Sequence, residues 1–292
     1  MTAISLNVAD DLLDDVIAAE GAEAALAALE PEPPTAEAIL ERYADPGGET
    51  GLHDGHHDQT LLEPLEHELE LIAGLTPIRK LRGVPLYYER GDRPRPYTFS
   101  VARSFLPRLE AIVDHTRARV PASYGRLVRI TSAGMYVAKA GRHGEGRACD
   151  WDRWTFERVV IAPRDGDHAS ADRDRRRRYW SLAAICRSVC CYTLHGEHDL
   201  AHRDHQHVDD SISEAFNTAR STVTLLQALL NTVHGASPVL RVDGVYGPVT
   251  RAAAATAVRR VGLTGDIHDR AVWVAFLRLS ARLGFAQAAP KS

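Results

Sequence analysis

The sequence predicts an α+β fold: an antiparallel-sheet core followed by a C-terminal three-helix bundle. Three observations carry this. Between residues 75 and 217, strand-like and helix-like stretches do not alternate regularly, which disfavours a doubly wound sheet. The strand-like stretches are short, β-branched and alternating. The segment 220–286 is patterned separately, with three helical stretches divided by turn residues. The expected organisation is therefore an acidic, partly helical extension over 1–74, a core domain over 75–217 and a helical domain over 220–286.

Residues 8–30 place apolar and acidic side chains at helical spacing and stop at the proline-rich break 31–34. A short helix over 35–44 ends before Pro46 and Gly47. The polar stretch after it carries His53, His56 and His57 and reads as a surface loop. From about residue 75 the texture changes. Residues 81–89 have strand character, and 100–120 read as an amphipathic helix with Phe105, Leu109, Ile112 and Val113 on one side. An alternating strand follows over 125–137, then a short apolar strand over 158–163. A charged insertion, 164–178, leads into a helix over 179–194. Its Arg175–Arg178 run is a candidate contact for anionic polymer, although such runs are usually solvated helix ends. Residues 205–210 read as the strand that closes the core. In the last segment Leu225, Leu226, Leu229 and Leu230 mark one helix, Pro248 begins a second, and 271–285 form a third.

The bulk numbers are those of a globular chain: 292 residues, 45% hydrophobic and 25% charged. A net charge of -4 argues against a dedicated nucleic-acid binder. No apolar run approaches the roughly 18 residues that insertion across a membrane requires. The first twenty residues lack a basic n-region and an apolar h-region, so no secretory signal is expected. Synthesis in the cytoplasm is then followed by lysis, a holin-like route or a phage-tail-like device, with the N-terminal extension as a contact for a delivery apparatus. Cys149, Cys186, Cys190 and Cys191 form no CxxC pair and read as reduced, mostly buried thiols.

Metal-ligand chemistry concentrates in two clusters. Residues 141–152, GRHGEGRACDWD, offer His143 and, seven positions on, Asp150. Gly144 and Gly146 allow a tight turn, and the ACDW stretch can begin a strand that fixes the carboxylate. Residues 202–210, HRDHQHVDD, offer His202, His205 and His207. On a strand His205 and His207 share one face, with Gln206 and Val208 on the other. Two imidazoles and a carboxylate from separate elements make an open, hydrolytic type of zinc site. With 14 histidines in the chain a lone HxH says little; the joint occurrence of both clusters says more.

The first cluster resembles the SxHxxGxAxD signature of zinc D-alanyl-D-alanine carboxypeptidases and Hedgehog-like peptidases, at His143, Gly146, Ala148 and Asp150. Gly141 stands where that signature has serine. The second cluster resembles the HxxHxH ending of extensin-like C-terminal domains and murein endopeptidases. The resemblance implies Zn2+ bound by His143, Asp150 and His207, with Asp204 as catalytic acid or base and His205 and His202 lining the site. The C-terminal segment, LLQALL followed by VDGVYGPVT, resembles a peptidoglycan-binding domain.

Together these imply a zinc metallopeptidase that hydrolyses stem peptides or cross-links of peptidoglycan at the bacterial cell wall. The alternative is a non-catalytic wall-binding protein with a structural metal site.

Overall fold

The computed structural model describes residues 74–89, 95–190, 192–211 and 213–290. The helices expected over 8–44, the His53–His57 loop and Cys191 lie outside the described residues. The chain divides into two units between Leu75 and Thr76, at the start of the first strand. The second unit, residues 76–292, holds every other element among the described residues.

Nine strands and five helices occur among the described residues, in an α+β arrangement. The strands are β1 (Leu75–Ile78), β2 (Lys80–Leu81), β3 (Val84–Tyr88), β4 (Phe99–Ala102), β5 (Leu127–Gly134), β6 (Ala148–Phe156), β7 (Val160–Ile161), β8 (Tyr192–Leu194) and β9 (Gln206–Asp209). The helices are α1 (Leu106–Arg119), α2 (Arg173–Val189), α3 (Arg220–Thr232), α4 (Pro248–Arg260) and α5 (Arg270–Gln287). The main sheet runs β2-β3-β5-β6-β9-β8, with β7 paired to β6, while β1 and β4 form a separate ribbon. Every pair in the main sheet is antiparallel except β3–β5, which is parallel. The expectation of an antiparallel sheet is corrected to a mixed one. The connection from β3 to β5 carries β4 and α1, the kind of long crossover that parallel pairing requires.

Helix α2 is the centre of the second unit. It starts at Arg173, six residues before the expected Tyr179, because Asp172 caps it by accepting from the backbone N–H groups of Asp174 and Arg175. From Tyr179 to Val189 every residue is buried. The sheet, α1, α3 and α5 all pack against it, so no side of these three turns faces water. Leu225, Leu226, Leu229, Trp273, Phe276 and Phe285 therefore join the same core as Trp151, Trp154 and Trp180. The boundary expected near residues 217–220 marks a change of elements and not a break in the core.

The arginine run is part of this junction. Arg177 Nε donates to Thr232 O at 3.2 Å, and Arg178 Nε and Nη2 donate to Ala288 O at 3.1 and 2.9 Å. Those carbonyls stand at the C-termini of α3 and α5, where helices lack intrahelical donors. Arg175 pairs with the buried Asp167. The run thus stitches helix ends together and is not a solvated fringe.

Two buried histidines sit at the same junction. His195 Nε2 donates to Ser221 O at 3.0 Å, and His234 Nε2 lies 2.8 Å from Ser280 Oγ. Burial pushes the pKa of His195 down to about 3 and that of His234 to about 4. The folded state holds both neutral while the unfolded chain takes up protons near pH 6.5, so stability is full above that pH and falls as the medium acidifies. At pH 5 each histidine is expected to cost about 2 kcal/mol. Thermal melts of chelated protein should show a midpoint about 10 °C lower at pH 5 than at pH 7.5. His115, pushed down to about 3 by burial, adds to the loss, and His207, pulled up against its burial by its carboxylate partners, offsets part of it. An unchanged midpoint would refute the assignment of these two residues as buried neutral groups.

Candidate metal centre

The sheet register builds the site. On β6 and β9, Asp150 lies directly opposite His207, and Gly134 at the end of β5 pairs with Asp150 from the other side. Directly opposed residues project to the same face, so the carboxylate and the imidazole meet. His207 Nδ1 is 2.9 Å from Asp150 Oδ1.

His143 comes from the loop between β5 and β6. Backbone bonds coil this loop: Val137 N and Gly146 N both donate to His143 O at 3.1 Å, and Arg147 N donates to Arg142 O at 2.8 Å. A Cβ on Gly144 would lie 1.7 Å from Lys139 O, so only glycine fits there. Gly146 takes the left-handed conformation at φ 66°, as the glycine spacing implies. His143 Nδ1 donates to Met135 O at 2.6 Å, which leaves Nε2 to face the site. That nitrogen is 3.2 Å from Asp150 Oδ2 and 3.3 Å from His207 Nδ1.

One donor atom each from His143, Asp150 and His207 lie within 4.8 Å of one another, and they are the one such trio among the described residues. The set fits a metal ion. It joins two imidazole nitrogens to a carboxylate oxygen and leaves further coordination positions open. The outer partners fit as well. Met135 O holds the far nitrogen of His143, and Asp209 Oδ2 accepts from His207 Nε2 at 3.1 Å. Asp209 is in turn held by the Ser211 hydroxyl at 2.5 Å and the Ser211 backbone N–H at 2.8 Å. Second contacts of this kind fix the tautomer and direction of a ligating histidine.

The electrostatics follow from the same contacts. Burial alone would raise the pKa of Asp150, but hydrogen bonds from His143 and His207 outweigh it and hold the carboxyl far below its usual range. Burial would lower His207, but its bonds to Asp150 and Asp209 prevail and pull it up to about 9.

Comparison with known protein families, curated proteins and solved structures finds no match. The chemistry of the site rests on its own geometry.

His205 Nε2 lies 3.7 Å from Asp150 Oδ1, on the side from which His207 also approaches, and Gln206 and Val208 are buried on the other face. That is the alternation the sequence predicts. Asp204 Oδ1 accepts from His205 Nδ1 at 2.8 Å, while its Oδ2 is paired with Arg164. His202 stands beside them, its ring centroid 5.1 Å from that of His205 and 5.9 Å from that of His207.

All six residues singled out from the sequence thus gather in one place. Sequence reasoning missed Asp209, Asp199 and Arg164. Asp209 was accessible, because it follows His207 by two on the same strand and so shares its face. Asp199, three before His202, carries a weaker version of such a signal. Arg164 carries none, since it meets Asp204 across forty residues of chain.

Proposed function

We propose that this protein is a zinc-dependent peptidase acting on the peptide moiety of peptidoglycan. The observation that carries the reading is the convergence of His143, Asp150 and His207 with His205 alongside. Zinc held by these donors would supply Lewis acidity and lower the pKa of a water to near neutral. Asp204 accepts a hydrogen bond from His205 Nδ1–H, so in the neutral ring the lone pair is on Nε2, which lies 3.7 Å from Asp150 Oδ1. Nε2 is therefore placed to take a proton from water and return it to the leaving amine.

The choice of substrate is supported by the C-terminal motif. Gln227 Oε1 accepts from Asp243 N and Gly244 N, both at 3.0 Å, and its Nε2 donates to Asp243 Oδ1 at 2.9 Å. Thr250 Oγ1 donates to Val245 O at 3.2 Å. The glutamine of LLQALL, the DG turn and the threonine of GPVT, which make the resemblance to a peptidoglycan-binding domain, form one hydrogen-bonded unit. No helix among the described residues is long and apolar enough to cross a membrane.

The test uses the whole chain, because α3 and α5 share the core of α2. Zinc-loaded protein is incubated with purified sacculi, and the released muropeptides are weighed by mass spectrometry. Products carrying one added water across a peptide bond, lost on chelation, are the expected result. Co-sedimentation with sacculi and full zinc content without any product would instead support the non-catalytic wall binder. Failure to co-sediment would remove the wall from the proposal.

A further inference from the structure

A second carboxylate–imidazole pair stands beside the first. His202 Nδ1 is 2.7 Å from Asp199 Oδ1, and the backbone N–H of His202 donates to that same oxygen at 3.0 Å. Two donors of one residue converge on one acceptor, so the ring is tied to its own backbone and cannot turn freely. The other oxygen of Asp199 faces His198 Nε2 at 3.5 Å. The segment that carries these residues is itself anchored from α3. Arg220 Nε donates to His198 O at 3.2 Å and its Nη1 to Asp243 O at 3.2 Å, while His195 is tied to Ser221 O.

We propose that Asp199 is a positioning residue for the reaction, holding His202 as its Nδ1–H tautomer so that the Nε2 lone pair accepts a hydrogen bond from substrate or water at the metal centre. An imidazole carries one proton when neutral, and whichever nitrogen donates decides which one accepts. With Nδ1 committed to Asp199, Nε2 is the acceptor, on a ring that neighbours His205 and His207. Without Asp199 the ring samples both tautomers and both flips, and only a fraction of molecules present the acceptor. Asp199 touches no reacting atom; its effect passes through His202. The inference rests on the peptidase reading and adds a residue that no motif of the sequence singled out.

The experiment compares wild type, Asp199→Ala and Asp199→Asn, all zinc-loaded. Asp199 is exposed, so neither change should disturb folding. Nitrogen-15 NMR of labelled histidine in neutral wild type should show His202 with a pyrrole-like Nδ1 and a pyridine-like Nε2. In Asp199→Ala the two signals should average, and kcat on a soluble muropeptide should fall about 10-fold with KM and zinc content unchanged. Asp199→Asn should restore most of both, because two N–H donors oblige the amide to present its oxygen. A merely structural role would move zinc content or melting temperature and leave the tautomer alone. The inference is overturned if His202 keeps one tautomer in Asp199→Ala, or if kcat there matches an active wild type. Absence of turnover in wild type itself would take down the peptidase reading, and this inference with it.

Discussion

Replacing His207 with alanine is expected to lower bound zinc from about one equivalent to less than about a tenth, and to abolish hydrolysis. His207 is the hinge of the donor set. Its Nδ1 meets Asp150 at 2.9 Å and lies 3.3 Å from His143 Nε2, while its other nitrogen is held by Asp209. Removing it leaves one imidazole and one carboxylate, too few to hold the ion against water. It also takes from Asp150 one of the two bonds that keep this largely buried carboxylate ionised. Asp209→Asn is the graded companion. It keeps all three donors but weakens the contact that orients His207, so zinc affinity should fall about 10-fold and not collapse. Elemental analysis and a chelator competition on the same preparations check both. Full zinc retention in His207→Ala would refute the ligand assignment, and equal losses in the two variants would refute the distinction between donor and outer partner.

The two donor clusters were legible because their residues obey short-range rules, while the choice of His143, Asp150 and His207 as ligands came from the motif resemblance. Strand period put His205 and His207 on one face, and glycine spacing marked the loop that delivers His143. What the sequence could not give was pairing. That Asp150 stands opposite His207 depends on the register of β6 and β9, whose residues are 57 apart. The fold was legible to a similar depth. Each helix and the strands β3, β5, β7 and β9 declared themselves by pattern, but β4 and β8 overlap the stretches 100–120 and 179–194 that read as helices. The parallel β3–β5 pair did not show, since periodicity carries no strand direction. The helical segment after 220 reads as a separate domain because its apolar pattern is self-consistent. Nothing in that pattern shows that α2 is buried on all sides and supplies the partner for Trp273, Phe276 and Phe285. The arginine run misleads for a related reason. Charge in sequence implies solvent until the carbonyl ends of α3 and α5 are seen beside it.

His205→Ala is expected to keep its zinc and lose on the order of 10²–10⁴ in kcat, more than Asp204→Asn loses. Asp204 occupies the position, three before His207, that the resembling peptidases give to their acid or base. Yet both oxygens of Asp204 are engaged, one by His205 Nδ1 at 2.8 Å and the other by Arg164. A carboxylate so held orients an imidazole, and it is His205 Nε2 that lies 3.7 Å from Asp150 Oδ1. Asp204→Asn keeps shape but offers a single oxygen to two donors and loses its charge, so His205 is less firmly set and kcat should fall about 10- to 100-fold. Arg164→Ala separates the rival assignments further. If Asp204 handles the proton itself, releasing it from the guanidinium changes its basicity and shifts the acid limb of the rate profile upward in pH. If His205 does, that limb should barely move and the loss should be small. Zinc content measured on every preparation guards against indirect effects. An Asp204→Asn enzyme that is fully metallated and as dead as His205→Ala would return the proton to Asp204.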